Sequence, residues 1–308
     1  MNHSSITEMH RELLRSRPGR PAWGNRPEGA PAVEPTALAA LALAASEPDK
    51  DAGQSRAAVV SAGDWLAGLQ QRSGALGIAP GLPQPCWTTP WGILVWAAAG
   101  HAGDAQKRAV DWLLAQKGET ANPVAGDPFG HDPRIPGWSW VAGTSSWLEP
   151  TAMAVLALRR AGQASHSRTR DGQRLIRDRV IRSGGWNYGN STVFGADLRP
   201  HPAPTGLALL ALAGVDDPDE PLVDRSCDYL ERILPSTRAP QSLCFGTLAL
   251  AAWGRRPDQA DDWLEGARTG AARATDSVSQ LAYILLAAGP RALVLFGLDA
   301  PDPAETDR

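Results

Sequence analysis

VEPTALAALALAAS, starting at Val33, and LEPTAMAVLALRRAG, starting at Leu148, are two copies of one unit. APTGLALLALAGV at Ala203 and CWTTPWGILVWAAAG at Cys86 repeat it, with a Thr near a Pro, about ten apolar residues, then a small or Gly stop. Looser copies begin at Leu243 (LCFGTLALAAWG) and Val278 (VSQLAYILLAAG). The spacing predicts six apolar helices of about three turns each. Pro suits the first helical turn, where a missing N–H costs nothing, and Gly100, Gly162, Gly214, Gly254 and Gly289 suit the C-terminal stops.

Between these lie stretches of another kind. They start at Arg56 (RAAVVSAGDWLAGLQ), Ala105 (AQKRAVDWLLAQKG), Gln173 (QRLIRDRVIRSGGW), Pro221 (PLVDRSCDYLERIL) and Asp258 (DQADDWLEGARTGAA). Their apolar residues recur at i, i+3, i+4 and i+7 among charged ones, which gives one wet face and one packed face. Apolar helices need protein on every side, and amphipathic ones can shield them. Six inner helices ringed by five or six outer ones close into an all-α, α/α toroid of about six helical hairpins. An open solenoid would expose more of the apolar helices and need polar end caps.

The rest of the chain sets limits. With 30 basic and 33 acidic side chains among 308 residues, a nucleic-acid partner has no electrostatic basis. Three Cys cannot build a disulfide framework, which suits a reducing compartment. No apolar run approaches the roughly 20 residues that would span a bilayer, and no secretory signal is present, so the expected location is cytoplasmic. Residues 1–32 are polar and rich in Arg, Pro and Gly. They read as a flexible lead-in in which TEMHRELLR (Thr7–Arg15) makes a short helix. The toroid domain covers 33–298, and 299–308 read as a disordered tail.

SGGWNYG at Ser183 resembles the Gln-x-x-x-Gly-x-Trp repeat motif of the prenyltransferase and squalene-oxidase repeat family, and LLAQKGE at Leu113 and LQQRSGALG at Leu69 resemble degenerate copies. That family includes terpenoid cyclases and protein prenyltransferase β subunits. The resemblance covers about Val33 to Leu298 and implies the same toroid. It also implies an apolar, isoprenoid ligand in the central cavity. It does not fix an activity, because the repeat serves unrelated chemistries.

The family's motifs are incomplete here. The nearest string to the acidic Asp-x-Asp-Asp motif of class II cyclases is Asp217-Pro218-Asp219-Glu220, which reads better as a turn and helix N-terminus. The Asp-x-Cys pair of zinc-dependent prenyltransferases is absent, since Gln84 precedes Cys86 and Ser242 precedes Cys244. Cys86, His201 and Cys244 at inner-helix starts are the alternative metal set, but without a short paired spacing the expectation is no metal and no cofactor. Glu34 and Glu149 precede Pro-Thr in two repeats, and read first as carboxylates serving the free N–H groups of their helix starts.

Two long loops carry the remaining chemistry. Lys117–Trp147 contains Asp127, His131, Asp132, Trp138, Trp140 and Trp147; Gly184–Gly206 contains Trp186, Tyr188, Asp197 and His201. Long loops in compact domains are usually functional. If both cover one mouth they form an aromatic pocket with convergent polar groups. The candidate catalytic residues are therefore Asp197, His201, Asp132 and His131. The candidate ligand-binding residues are Trp138, Trp140, Trp147, Trp186, Tyr188, Cys86, Trp87 and Glu149. The leading expectation is a terpenoid-cyclase-like or prenyltransferase-like protein. The alternatives are a non-catalytic toroid binding a protein or peptide partner, and a carbohydrate-active enzyme with paired carboxylates such as Glu34, Glu149, Asp132 and Asp197.

The 12 Trp exceed the 7 other aromatics. Trp65, Trp112 and Trp263 share an Asp-Trp-Leu position on outer helices and read as packing devices. Trp87, Trp138, Trp140, Trp147 and Trp186 gather in loops leading to inner helices.

Overall fold

The computed structural model describes residues 1–17, 19–46, 52–100, 103–123, 130–215, 219–271 and 277–298. Asp127, Asp217, Pro218 and the tail 299–308 lie outside the described residues. In chain order the helices are α1 (His3–Arg15), α2 (Val33–Ala45), α3 (Ala52–Leu69), α4 (Thr89–Ala99), α5 (Asp104–Ala115), α6 (Leu148–Arg160) and α7 (Ser167–Asp178). After a two-residue hairpin, β1 (Thr192–Val193) with β2 (Ala196–Asp197), come α8 (Pro202–Leu212), α9 (Glu220–Ile233), α10 (Pro240–Ala252), α11 (Ala260–Ala271), α12 (Val278–Ala288) and the short α13 (Ala292–Leu295).

The six apolar helices α2, α4, α6, α8, α10 and α12 pack in sequence, and α12 returns to α2, so the inner ring is closed. The amphipathic helices stand outside it. α3 packs between α2 and α4, α7 between α6 and α8, α9 between α8 and α10, and α11 between α10 and α12, with α5 on α4. This is the α/α toroid.

The sixth outer helix comes from the segment expected to be a flexible lead-in. α1 packs on α12 and α2 and closes the outer ring where the chain's two ends meet. Met9, Leu13 and Trp23 are fully buried, and the His10 ring nitrogen Nε2 lies 2.9 Å from Ser55 Oγ of α3. The lead-in looked irregular because only residues 16–32 are rich in Pro, Gly and Arg; the burial of Trp23 fixes that stretch. A second correction concerns α7, predicted from Gln173 onward. It starts at Ser167, where the His166 Nδ1 accepts from Arg168 N–H, and it ends at Asp178, so Val180 and Ile181 belong to a turn instead.

Recurrent hydrogen bonds show what the Pro-Thr signature does. The Thr36 hydroxyl oxygen accepts the Trp23 N–H at 2.9 Å, Thr151 accepts Trp138 at 3.0 Å, and Thr205 accepts Trp186 at 2.9 Å. Thr89 does the same for Leu76 at 3.0 Å. Each of the three Trp then donates its indole N–H to a carbonyl in the last turn of an outer helix: Trp23 to Leu13, Trp138 to Leu113, Trp186 to Ile176. One side chain thus ties an outer helix end to an inner helix start, with every polar group satisfied.

Predicted stops Gly100, Gly162, Gly214 and Gly254 take positive φ; Gly289 does not, and lies instead against the Ala45 backbone. Gly206 allows the closest helix approach. A Cβ there would meet the Phe245 carbonyl carbon and oxygen at 2.4 and 2.5 Å, where α8 crosses α10. Gly206→Ala should therefore push the two helices apart and cost about 1–3 kcal/mol in chemical denaturation, the range of overpacked cores.

The ring is not an open bore. From their second turns the inner helices exclude water on every face: Thr36–Leu43, Ala152–Leu158, Pro204–Leu212 and Leu243–Leu250 are all buried. At the C-terminal end of the ring α13 packs across α2, α4, α10 and α12, and Leu293, Leu295, Phe296 and Leu298 are buried. Clefts remain at both ends among the described residues: one of about 190 Å³ beside α13, lined by Ala44, Ala97, Arg160 and Val294 among others, and others at the opposite mouth, where the inner helices start. The expected central cavity is filled by the buried side chains of these helices.

Candidate functional site

The loops entering the inner helices all meet at this mouth. Val33 N–H donates to Ile78, Val278 N–H to Asn25 and Leu148 N–H to Tyr188, each linking one helix start to a neighbouring loop. The first turns of α2 and α6 bring Glu34 and Glu149 here. Neither carboxylate hydrogen-bonds to a first-turn N–H, so the capping role expected for them is not what they do. Both keep some contact with solvent, yet both have raised pKa values, which describes a recess rather than an open surface.

Burial raises Glu34. Burial, reinforced by repulsion from Glu34, pushes Glu149 up to about 7. Both sit in first turns, where the helix dipole favours the charged form, but desolvation wins. Tyr283 of α12 is buried and pushed well above 10 by desolvation, with further contributions from Glu34, Cys244 and Glu149. Phe245 of α10 meets Tyr283 edge to face, with ring centroids 5.6 Å apart. The mouth thus brings two carboxyl groups together near a buried phenol, Tyr283, whose ring packs on the buried Phe245. A carboxyl pushed this far toward neutrality is suited to giving and taking protons.

Two clefts flank the recess. One, about 180 Å³, is lined by Cys86, Trp87, Trp112, Trp138, Trp140 and Lys117 among others. Trp87 and Trp140 pack edge to face at 5.1 Å. Cys86 is a buried thiol donating to the Pro83 carbonyl at 3.2 Å, and burial raises its pKa, so it is no nucleophile. The other cleft, about 330 Å³, is lined by His131, Trp147, Arg179, Ser145 and Asn190 among others.

The sequence candidates therefore divide. Glu149 is in the recess, and Cys86, Trp87 and Trp140 line the first cleft. His131 and Trp147 line the second. Trp138 is only 4% exposed, fixed by its indole bond and by Arg168, whose guanidinium lies 4.4 Å from the ring centroid. Trp186 is wholly buried and is a structural clamp, not a ligand contact. Asp132 is locked to Arg134 through paired 2.9 Å hydrogen bonds, which hold it at about 2 and remove it as a proton donor near neutrality. Asp197 is exposed in the hairpin opposite Thr192, while His201 packs on Tyr188 at 5.4 Å. No hydrogen bond or ion pair among the described residues joins Asp197 to His201, so that pair is not assembled. Cys86, His201 and Cys244 are likewise dispersed: a rim cleft, an exposed helix start and the fully buried inner face of α10. Among the described residues no three His, Cys, Asp or Glu converge as metal ligands.

Sequence reasoning named Glu34 only among the paired carboxylates of the carbohydrate alternative and left it out of the leading candidate site. The signal was available: in a closed ring, residues at the same register of two inner helices point toward the same axis. Their recurrence is what brings them together.

Fold and recess together define an α/α toroid with a paired-carboxyl mouth. Solved structures share this fold. A protein from Actinoplanes gives a TM-score of 0.59 at 16% identity, covering 96% of this chain and 99% of that one. The type II terpene cyclase MstE from Scytonema, in a variant bound to its product merosterolic acid A, gives 0.63 at 15% identity, covering 95% and 96%. A glycosidase variant gives 0.53 at 12% identity, covering 96% and 99%. No protein-family model and no curated protein matches the chain. No described helix is long and apolar enough to cross a membrane.

Proposed function

We propose that this chain is a terpenoid-cyclase-like acid catalyst. It takes an apolar, isoprenoid-type substrate at the mouth of the ring, with Glu149 as proton donor and Glu34 as the neighbouring carboxylate. The feature that supports the reading is the placing of Glu34 and Glu149 in the first turns of two inner helices at one mouth, where burial and repulsion from Glu34 push Glu149 up to about 7. The terpene cyclases that share the fold support it by analogy.

The acid strength narrows the substrate. A donor near 7 is too weak to protonate an unactivated alkene at a useful rate, but it suits an oxygen whose C–O bond breaks as the proton arrives. An isoprenoid epoxide fits. Glu149 gives its proton to the epoxide oxygen, the C–O bond opens, and a neighbouring C=C closes onto the cationic carbon. Glu34 takes the proton lost when the final cation becomes an alkene, and exchange within the pair resets Glu149.

The same pair also favours a second reading. Two neighbouring carboxyls with raised pKa values suit glycoside hydrolysis too, and a glycosidase shares the fold. The deciding experiment incubates the protein with prenyl epoxides and, separately, with aryl glycosides. Cyclised product from the epoxide alone, with kcat reduced at least ~100-fold in Glu149→Gln, is the expected result. Aryl glycoside hydrolysis with the same dependence would transfer the assignment to carbohydrate chemistry. Full activity in Glu149→Gln would remove the recess from either mechanism.

A further inference from the structure

The large apolar side chains that the protein leaves in water are not scattered over it. Among the described residues six are well exposed, and five of them, Leu82, Val141, Trp147, Tyr188 and Phe194, stand on loops entering inner helices. These loops form the face around the mouth; the sixth, Val294, is on α13 at the other end. The five come from three different connections, so the repeat has gathered them on one rim without their being neighbours in sequence.

Phe194 is the clearest case. It is 87% exposed at the tip of the β1–β2 hairpin, and its φ is +50. With Gly195 at φ +79 it forms a two-residue turn with both central residues left-handed, a turn that ordinarily takes Asn-Gly or Asp-Gly. A Phe there accepts backbone strain and meets no protein in return. Strain combined with an exposed aromatic ring marks a side chain placed for contact with something else.

Charge on the same face is equally biased. The described residues of the mouth loops (16–32, 70–88, 116–147, 179–201 and 234–239) carry nine solvent-accessible Arg or Lys against four Asp or Glu, or six with the mouth carboxyls Glu34 and Glu149. The whole chain has a formal net charge of −3. The protein is thus polarised, with a cationic face that also bears the exposed aromatic and aliphatic groups.

We infer that the mouth face docks on an anionic lipid surface, with Phe194 entering the interfacial region and the rim arginines facing lipid phosphates. Apolar side chains spread singly round a cationic rim match a laterally uniform, negatively charged, apolar-cored partner. A protein partner would call for one contiguous apolar patch with mixed charge at its edge. The placement also puts the recess against the layer from which an apolar molecule would enter, although docking does not require any particular chemistry in the recess.

The test is sedimentation of the full chain with vesicles of phosphatidylcholine alone and of phosphatidylcholine with 30% phosphatidylglycerol, at low and at 0.5 M salt. The 30% and 0.5 M are conditions to be set at about those values to separate the electrostatic part. Binding to the anionic vesicles only, weakened by salt, is expected. Phe194→Ser and the pair Arg182→Glu with Arg199→Glu should each weaken it by about tenfold, without altering the melting temperature, because all three positions are exposed. Failure to bind anionic vesicles, or binding that neither variant weakens, would overturn the inference. So would a salt-stable dimer in solution that Phe194→Ser dissociates, since the rim would then be a protein interface.

Discussion

Glu149→Gln should melt at a higher temperature than the parent protein at pH 8, and at the same temperature at pH 4. Glu149 carries a folded-state pKa of about 7 against an ordinary 4.5. Below 4.5 the group is neutral in both folded and unfolded chains and has no effect. Between 4.5 and 7 the native state binds more protons than the unfolded one, so stability falls as pH rises. Above 7 the full cost of the buried charge is present. A shift of this size corresponds to ~3 kcal/mol if burial were complete. Partial solvent contact screens it, and about 1–2 kcal/mol, or roughly 3–6 °C, is the expected gain from the amide. A carboxylate that merely served its helix N-terminus would behave in the opposite way, and Gln would destabilise the protein at pH 8.

Trp186→Ala should cost about 3–5 kcal/mol, equivalent to a drop of roughly 10 °C or more. The side chain is wholly buried, its indole donates to the Ile176 carbonyl at 2.7 Å, and its backbone N–H is held by Thr205. Removing it leaves a cavity and takes from the Ile176 carbonyl its indole donor, leaving only the 3.3 Å bond from Arg179 N–H. Thermal unfolding monitored by circular dichroism gives the value. By contrast Trp140→Ala, in a partly exposed rim position, should leave stability within about 1 kcal/mol. A small effect at Trp186 would mean that the Trp–Thr clamp is not what joins the two rings.

This contrast marks what was legible in the sequence. The alternation of apolar and amphipathic helices was, because burial on all sides and burial on one side leave different periodicities. The toroid followed from it. The clamps were only half visible. Trp23 and Thr36 are thirteen residues apart, as are Trp138 and Thr151, but an inserted hairpin stretches Trp186 and Thr205 to nineteen. The uneven spacing hid the motif, so Trp186 stayed among the ligand-binding candidates although a structural role was the first reading. α1 was missed as the sixth outer helix for a related reason. Its Met9, Leu13 and Trp23 anchor it to parts of the chain that come later, and local composition around residues 16–32 carries no trace of that closure.

The site was less legible than the fold. Asp132 and His131, or Asp197 and His201, are close in sequence and chemically plausible. Yet Asp132 is consumed by Arg134, and Asp197 is held in a hairpin facing solvent. Glu34 and Glu149 lie over a hundred residues apart, and only ring closure makes them neighbours. Desolvation, which decides their chemistry, depends on that closure and is written nowhere in the local sequence.

The recess and the acid it contains are the central claim, and titration of the Glu149 side-chain carboxyl tests it most directly. With the protein labelled with 13C at Glu carboxyl carbons, and the resonance assigned by its loss in Glu149→Gln, the chemical shift should titrate with a midpoint of about 7. In Glu34→Gln the midpoint should fall, because repulsion from Glu34 contributes to it. A midpoint near 4.5, unmoved by Glu34→Gln, would contradict the account: the two carboxyls would then be separate, solvated helix-start residues and the mouth would hold no acid.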